Sequence, residues 1–228
     1  RVKPPFGAAE IDRGHPVGGS IVGCWIYNER GGAPLDLVMG QPTIPINGPV
    51  WGASRNAENN VDLTFAKASD QYLNCGNPTR LQLTAAITIC TSYRLTTVPV
   101  DGASYQLVAK DKDTGGRAYS LDIYRKDADT PVAGARFYIN GGAGNNVTQE
   151  GRAPVAGDDR QVIGSYSASL ITLYINGVKT TEKAPTDTSI PSATANVLHA
   201  RREYAGFTEP LDGALRYVYI LNRKCTDS

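Results

Sequence analysis

The sequence is poor in the residue types that most often build metal clusters and acid–base active sites. Among its 228 residues there are two histidines, four cysteines and one methionine. The cysteines are too sparse and too far apart for a disulfide scaffold or a zinc site, which would show close pairs. In strand-like runs a free thiol usually acts as a small buried hydrophobe. The four cysteines are Cys24, Cys75, Cys90 and Cys225, and the sequence does not identify which two of them would pair in a disulfide.

An excess of one charge and long apolar runs are also missing. With 23 basic and 22 acidic residues the net charge is +1, so no global field attracts the chain to nucleic acid or to an anionic membrane. No basic face interleaved with aromatic residues appears, which argues against a nucleic-acid interface. There is no run of about 18 apolar residues, and residues 1–5 lack the apolar core of a signal peptide. We therefore expect a soluble chain without a membrane partner.

Glycine, proline and tyrosine, in contrast, are abundant, with 24, 14 and 12 copies. Two Asn-Gly pairs each follow a Tyr-Ile dipeptide, at Asn140-Gly141 and at Asn176-Gly177. Asparagine and glycine accept the positive φ angles of a type I′ turn at little cost. Both pairs therefore predict tight reversals between antiparallel strands.

Short strand-like segments recur after residue 20, and no segment of ten or more residues has a convincing helical period. Tyr119, Leu121 and Ile123 alternate with Ser120 and Asp122, as expected for a strand with one face in the core. Many short antiparallel strands predict an all-β fold, a two-sheet antiparallel β-sandwich of the jelly-roll type. The predicted strands are residues 21–27, 61–65, 87–93, 105–109, 119–124, 136–139, 161–166, 171–175 and 215–221.

The first 20 residues differ in composition from the rest of the chain. Proline and glycine are frequent there and an apolar period is absent, which predicts an extended N-terminal arm, followed by one domain at residues 21–228. Extended arms cover large partner surfaces while losing chain entropy. We expect partner contacts from Pro4, Pro5, Phe6, Ile11 and Pro16.

Four motifs of the C-terminal half follow one another in a particular order. They are Gly164-Ser165-Tyr166, Leu173-Tyr174-Ile175-Asn176-Gly177-Val178, Arg201-Arg202 and the stretch from Leu211 to Arg223. The order and spacing resemble the laminin-G-like branch of the concanavalin A-like jelly rolls. The resemblance covers roughly residues 21–224, and it implies a concanavalin A-like sandwich.

The opening of the domain carries a second resemblance. Arg13-Gly14-His15-Pro16, followed by residues 23–29, is similar to the start of laminin-G-like proteins encoded by tailed bacteriophages. This resemblance implies a non-enzymatic virion protein, a capsid decoration or cement subunit assembled in the host cytoplasm. Its expected partners are the major capsid protein or other virion subunits, with several copies of the chain associating as a homo-oligomer on the particle.

Glycan recognition is the alternative function, as an adhesin module of a phage tail or a cell surface. Sugar sites need exposed aromatic faces beside planar polar groups, and several tyrosines lie in predicted strands, although tyrosine is also an ordinary strand residue. The loops near Asp111 and Asn145 are further candidates. The tyrosines concerned are Tyr124, Tyr138, Tyr217 and Tyr219.

Calcium is the one cofactor that the sequence raises. Asp111 and Asp113 match positions 1 and 3 of an EF-type loop, and Asp122 falls at position 12. Position 5 is Gly115, which is not a ligand, and Asp122 belongs to a predicted strand. Hairpin chemistry alone accounts for these residues. We therefore predict no cofactor, with a calcium loop at Asp111 and Asp113 as the minority alternative.

Catalytic motifs are weak. Glu10, Asp12 and His15 are the only residues whose spacing resembles the paired carboxylates of retaining glycosidases. They precede the first predicted strand, so no strand directs their side chains into a cleft. Neither His15 nor His199 has a nearby Gly-x-Ser-x-Gly nucleophile motif. We predict no catalytic residues and no enzyme, and keep a glycoside hydrolase as the third hypothesis.

Overall fold

The computed structural model describes residues 10–53, 61–112, 116–125, 133–140, 145–148, 154–203 and 209–225. In these ranges the regular structure consists of β-strands and short 3-10 helices at Gly18–Ser20, Lys67–Ser69 and Thr79–Leu81, which confirms the all-β class. None of these helices is long and apolar enough to cross a membrane. The strands are β1 (Ile21–Trp25), β2 (Leu35–Asp36), β3 (Gln41–Pro42), β4 (Ile44–Ile46), β5 (Val50–Ala53), β6 (Val61–Phe65), β7 (Tyr72–Asn74), β8 (Ala86–Leu95), β9 (Ser104–Lys112), β10 (Gly116–Arg125), β11 (Ala133–Ile139), β12 (Asn146–Thr148), β13 (Asp159–Ser167), β14 (Leu170–Ile175), β15 (Val178–Lys183), β16 (Leu198–His199) and β17 (Gly213–Leu221).

Two large antiparallel sheets form the sandwich that the alternation predicts. The eight-stranded sheet has the order β15-β14-β13-β8-β17-β6-β5, with β1 also paired to β17. The seven-stranded sheet has the order β12-β11-β10-β9-β16-β7-β4, and β2 and β3 form a separate ribbon. The chain passes back and forth between the two sheets: β9 to β12 lie in the seven-stranded sheet, β13 to β15 in the eight-stranded sheet, β16 in the first and β17 in the second. This double-sheet arrangement is that of a jelly roll.

One hydrophobic core lies between the two sheets. Tyr119, Leu121 and Ile123 of β10 are fully buried in it, as their period of two predicts. The sheets approach each other closely where the Phe137 ring of β11 packs on the backbone of Gly164 in β13. A Cβ atom on Gly164 would lie only 2.5 Å from Cδ2 of Phe137 and nearer still to Cγ. Glycine is therefore required at this contact for a steric reason, in a strand where it is otherwise unfavourable.

The second Asn-Gly pair forms a reversal between β14 and β15. Asn176 and Gly177 have φ angles of 50° and 80°, the left-handed values that a type I′ turn demands. Asn140 has a φ of 52° directly after β11, and its partner Gly141 lies outside the described residues.

The described part of the N-terminal arm lies against its own domain. Nη1 of Arg13 donates hydrogen bonds to the carbonyl oxygens of Gly18 and Ile21 at 3.0 and 3.2 Å. Ile11 lines a pocket of about 200 Å³ between this segment and the outer face of β1 and β17. Pro16 is exposed. Pro4, Pro5 and Phe6 lie outside the described residues.

Candidate functional site

The outer face of the seven-stranded sheet brings polar residues of three strands together. Asp122 of β10 lies opposite Arg136 of β11 on one side and Gln106 of β9 on the other. Ser120, two positions earlier on the same face, lies opposite Tyr138. These residues alternate with core residues, so a strand period places them on the face that points away from the sandwich interior.

An irregular segment covers these polar residues and keeps most of them from solvent. We call residues 200–203 and 209–211 the roof segment. The amide of Ala200 donates to the Leu107 carbonyl at 3.0 Å, and the amide of Gln106 donates to the Glu209 carbonyl at 3.0 Å. The amide of Leu211 donates to the Ala200 carbonyl at 2.9 Å, which closes the segment at its base. Asp122, Ser120 and Gln106 are fully buried beneath it.

Two bidentate ion pairs neutralise the buried carboxylates of the face. Nε and Nη2 of Arg136 donate to Oδ1 and Oδ2 of Asp122 at 3.1 and 2.6 Å. Nε and Nη2 of Arg117 donate to Oδ1 and Oδ2 of Asp111 at 3.0 and 3.3 Å. Paired donation of this kind fixes both the position and the orientation of the side chains. Burial favours the neutral form of both guanidinium groups, but the paired carboxylates outweigh it and raise the pKa of Arg117 and Arg136, so both remain charged.

The roof segment adds a third ion pair and a hydrogen-bonded link from Arg202 through Tyr138 to Asp111. Nη2 of Arg202 donates to Oε2 of Glu209 at 2.8 Å, and Nη1 of Arg202 donates to the Tyr138 hydroxyl at 3.2 Å. That hydroxyl in turn donates to Oδ2 of Asp111 at 2.7 Å. Burial, with the charge of Asp111 and Asp122, raises the pKa of Tyr138 to about 12. Tyr138 is only 5% exposed and therefore links charged groups instead of offering a ring to a ligand. We call Asp111, Arg117, Asp122, Arg136, Tyr138, Arg202 and Glu209 the polar face.

One edge of the polar face remains open to solvent. Tyr124, at the end of β10, is half-buried, and the guanidinium carbon of Arg136 lies 4.3 Å from its ring centroid. The side chains of Arg136 and Arg117 are 22% and 29% exposed. Thr148 of the edge strand β12 lies opposite Arg136. We call Tyr124, Arg136 and Thr148 the rim. An aromatic ring beside planar donors suits a ligand with both apolar faces and hydroxyl groups.

The other two candidate tyrosines lie on the opposite side of the molecule. Tyr217 and Tyr219 belong to β17 of the eight-stranded sheet, with ring centroids 5.0 Å apart. Nε2 of Gln161 donates to the Tyr217 hydroxyl at 2.7 Å. The structure therefore separates the four tyrosines into two pairs, and only Tyr124 combines an exposed part with a stacked guanidinium.

Asn145, the other candidate loop position, organises a neighbouring connection. Its Oδ1 accepts hydrogen bonds from the Thr186 amide at 2.9 Å and from the Asp187 amide at 2.9 Å. Its Nδ2 donates to Oδ2 of Asp187 at 2.7 Å. Asn145 is 3% exposed, so it fixes the loop at residues 186–187 and offers little surface to a ligand.

The contacts of Asp111 bear on the calcium alternative. Both of its carboxylate oxygens accept hydrogen bonds from Arg117, and one also accepts from Tyr138. A calcium ion would have to displace a guanidinium of the same charge sign from this site. Asp113 lies outside the described residues. Among those that are described, no three histidine, cysteine, aspartate or glutamate side chains converge as a metal site would need.

The histidines do not form a catalytic arrangement. His199 is fully buried, with Nδ1 hydrogen-bonded to the Tyr27 hydroxyl at 2.6 Å and Nε2 lying 3.6 Å from Sγ of Cys75. Burial lowers the pKa of His199 from 6.5 to about 3 and raises that of Cys75 well above its usual range. Both groups are therefore neutral at pH 7, whereas a cysteine nucleophile needs a thiolate. Trp25 packs edge-on against the imidazole at 4.6 Å.

Glu10, Asp12 and His15 all line the pocket between the arm and β1. This position is away from the space between the sheets, and all three residues are exposed. Oδ1 of Asp12 accepts a hydrogen bond from the Gly14 amide at 2.9 Å, which stabilises a local turn. The three side chains share a solvent-exposed pocket and are not held in the interior of the sandwich.

The arginines of the polar face and Glu209 were not predicted from the sequence as site residues. A usable signal existed in β11, because Arg136-Phe137-Tyr138 places Arg136 and Tyr138 on one face of a strand. Arg202 was part of a family motif without an assigned contact. Arg202 and Glu209 belong to the irregular roof segment, and no periodic pattern predicts where such a segment lies.

The comparison with known families agrees with this architecture. The family described as the Concanavalin A-like lectin/glucanases superfamily matches residues 67–228. The chain therefore belongs to the concanavalin A-like lectin/glucanase superfamily, as the motif order predicted. No curated protein is similar enough in sequence to match the chain.

Solved structures show the same fold. Domain 4 of AbnA, an extracellular GH43 arabinanase of Geobacillus stearothermophilus, has a TM-score of 0.65 at 9% identity, covering 91% of this chain and 94% of that domain. A structure of botulinum neurotoxin type C has a TM-score of 0.64 at 10% identity, covering 92% of this chain and about half of that chain (49%). The CBM40 of the Ruminococcus gnavus IT-sialidase has a TM-score of 0.54 at 14% identity, covering 79% of this chain and 95% of that domain. At such low identity the likeness establishes a shared fold alone.

Proposed function

We propose that the chain is a non-catalytic carbohydrate-binding domain that holds glycans at the rim. The observation that carries this proposal is the stack of the Arg136 guanidinium on the half-buried ring of Tyr124, both accessible at one edge of the polar face. A tyrosine ring packs against the apolar face of a sugar, and arginine N–H groups donate to hydroxyl oxygens. The ion pair with Asp122 holds Arg136 in place before a ligand arrives, which lowers the ordering cost of binding.

The solved relatives support the same function. The arabinanase domain was solved in complex with arabinotriose, and the CBM40 was solved bound to α2,3-sialyllactose. Cell entry of botulinum neurotoxin type C depends on interaction with two ganglioside molecules. A fold that three distant relatives use in glycan recognition is a suitable scaffold for the rim of this chain, although fold by itself does not decide function.

The state of the carboxylates supports a binding role over hydrolysis. A retaining glycosidase needs two carboxyl groups about 5 Å apart, with one free to attack and one protonated. Asp111 and Asp122 are each engaged by a bidentate arginine, and Glu209 is paired with Arg202. Carboxylate oxygens that already accept hydrogen bonds from a guanidinium group are not free to attack a sugar carbon.

Tyr124 supplies the stacking surface of the rim, so its truncation tests the site directly. We expect Tyr124→Ala to weaken glycan binding roughly tenfold or more, because truncation of a central tyrosine contact costs about 2 kcal/mol in typical binding sites. Binding would first be found on an array of oligosaccharides that includes arabinotriose, and then quantified by calorimetry. Since Tyr124 is half-buried at a strand end, the variant domain is expected to stay folded.

Tyr217→Ala is the matched control, because it truncates a partly buried tyrosine on the outer face of the opposite sheet. Its glycan affinity is expected to equal that of the unmodified protein. Binding should also survive EDTA, since Asp111 is held by Arg117. Equal loss of affinity in both tyrosine variants, or unchanged affinity in the Tyr124 variant, would contradict a site at the rim.

Attachment to a phage particle is the second proposal, with the protein serving as a capsid decoration subunit present in several copies. It is supported by the similarity of Arg13-Gly14-His15-Pro16 and residues 23–29 to phage-encoded proteins, and by the proline-rich composition of residues 1–9. Glycan binding and particle attachment are compatible, because the described part of the arm packs against β1 and β17 of the eight-stranded sheet, whereas the rim belongs to the seven-stranded sheet.

Deletion of residues 1–9 is expected to abolish co-sedimentation of the protein with particles of the phage that encodes it. This truncation removes Pro4, Pro5 and Phe6 while leaving the hydrogen bonds of Arg13 to Gly18 and Ile21 in place. Deletion of residues 1–19 should have the same effect. Full attachment of both truncated proteins would refute an arm-mediated virion role.

A further inference from the structure

The charges of the polar face are balanced group by group. Three carboxylates face three guanidinium groups, and each carboxylate has an arginine partner among the described residues. Asp111 and Asp122 have side chains with no exposed surface, whereas Arg117 and Arg136 are partly exposed. The face therefore presents arginine side chains to a ligand without presenting an excess positive charge.

Two nitrogen donors on each of Arg117 and Arg136 are also committed to these carboxylates. Arg136 uses Nε and Nη2 on Asp122, and Arg117 uses Nε and Nη2 on Asp111. The paired use of Nε and Nη2 is the fork geometry with which arginine would otherwise grip a ligand carboxylate. An incoming carboxylate would have to approach Asp122 or displace it from a buried position, and like charges at such distances repel.

The nearest basic group along β10 is neutralised as well. Nε of Arg125 lies 2.5 Å from Oδ1 of Asp101. Tyr124 contributes no charge, and Thr148 contributes a hydroxyl group. Among the described residues, the groups available at the rim are thus an aromatic ring, a hydroxyl and the outer edge of a neutralised guanidinium.

From this balance we infer that the rim selects neutral glycans and discriminates against glycans that carry a carboxylate, such as sialylated ones. The inference rests on the proposed function and adds the ligand class to it. A neutral sugar needs only stacking on Tyr124 and hydrogen bonds to its hydroxyl groups, and both are available without breaking an ion pair. A sialic acid would bring a negative charge to a face whose own carboxylates already hold the arginines.

The test uses pairs of oligosaccharides that differ by one sialic acid residue, which carries the carboxylate. Lactose and α2,3-sialyllactose form one such pair, and arabinotriose is a second neutral probe. We expect the intact protein to bind a neutral probe more tightly than its sialylated partner, in an array and then by calorimetry. The affinity for the neutral probe should be unchanged between roughly 50 mM and 500 mM salt, because salt screens only charge–charge attraction.

Asp122→Asn provides a charge-specific variant. The amide keeps the shape and an acceptor oxygen but frees the charge of Arg136, so the affinity for the sialylated probe relative to the neutral one is expected to rise at least about fivefold. The matched control is Asp159→Asn on the eight-stranded sheet. This variant also removes a carboxylate charge that is paired with arginines, in this case Arg94 and Arg216. It should leave the selectivity unchanged. Thermal melting would establish that both variants are folded.

Each outcome bears on either the inference or the proposed function. Tighter binding of the sialylated probe by the intact protein, weakened by salt and lost in Tyr124→Ala, would overturn neutral selectivity while sustaining the rim as a glycan site. Unchanged selectivity in a folded Asp122→Asn variant would contradict the role assigned to the ion pair. Absence of binding to every glycan on the array would overturn the proposed function itself, and the inference with it.

Discussion

Acidification from pH 6.5 to pH 4 is expected to lower the free energy of unfolding by about 3 kcal/mol through His199 alone, at about 1.4 kcal/mol per pH unit. Burial lowers the pKa of His199 from 6.5 to about 3. The unfolded chain therefore takes up a proton below pH 6.5, and the folded protein does so only near pH 3. The contribution is fully present above pH 6.5 and is lost as the pH falls toward 3.

The surroundings of the ring explain why the folded state resists protonation. The groups that face it are the Tyr27 hydroxyl, the Cys75 thiol and the edge-on ring of Trp25. None of them carries a negative charge that would stabilise an imidazolium ion. Against a typical total stability of about 5–15 kcal/mol, a loss of this size is large enough to move the midpoint of urea unfolding visibly.

The measurement is urea unfolding at several pH values between 7.5 and 4, compared between proteins so that carboxylate titrations cancel. His199→Gln removes the titrating group and retains an amide that can hydrogen-bond to Tyr27. The number of protons taken up on unfolding, which sets the slope of stability against pH, should therefore be smaller by about one per molecule. His15→Gln alters the exposed histidine and should match the unmodified protein. Equal pH dependence in all three proteins would show that His199 is not the acid-sensitive group.

Gly164→Ala is expected to destabilise the fold by about 3 kcal/mol, at the upper end of typical overpacking costs. The new methyl group would lie 2.5 Å from Cδ2 of Phe137 and nearer still to Cγ, inside the contact distance of two carbon atoms. Phe137 is fully buried, so its ring has no vacant space to enter. The two sheets would have to separate locally. Thermal or urea unfolding of the variant measures the cost.

A double-mutant cycle identifies the steric cause. Phe137→Ala alone should cost about 3–5 kcal/mol through the cavity it leaves, and in the double variant the methyl group introduced by Gly164→Ala occupies part of that cavity. The combined loss should therefore be smaller than the sum by about 2 kcal/mol. Gly52→Ala is the control, since its nearest neighbour is the hydroxyl group of Thr64 at 3.1 Å. Additive losses would exclude the ring contact as the cause.

The sequence was sufficient for the fold where strands are long and alternate. All nine predicted strands exist, and β10 and β13 extend beyond their predicted ends. The strands that were missed are mostly two to four residues long, such as β2 and β7, and carry too few residues to show a period. The longer β15 was missed because nearly all of its residues are exposed at a sheet edge, so no core face marks it.

The site was harder to predict than the fold. Alternation in β10 assigned Ser120 and Asp122 to the face away from the core, but it could not reveal that the roof segment buries them. The contacts of Arg202 and Glu209 depend on a chain path set by tertiary packing. Of the candidate tyrosines, Tyr124 was separated from Tyr138 only by their exposure.

The hydrogen bond between Leu211 and Ala200 has a consequence for how this scaffold can diversify. Because the two ends of the roof segment are already held together, insertions or deletions within it add little loop-closure entropy. They also leave the register of β9 and β17 untouched. Binding residues are often carried on such replaceable connections above a rigid framework. Related chains are therefore expected to vary in length chiefly at this one connection, with the interior of the sandwich kept constant.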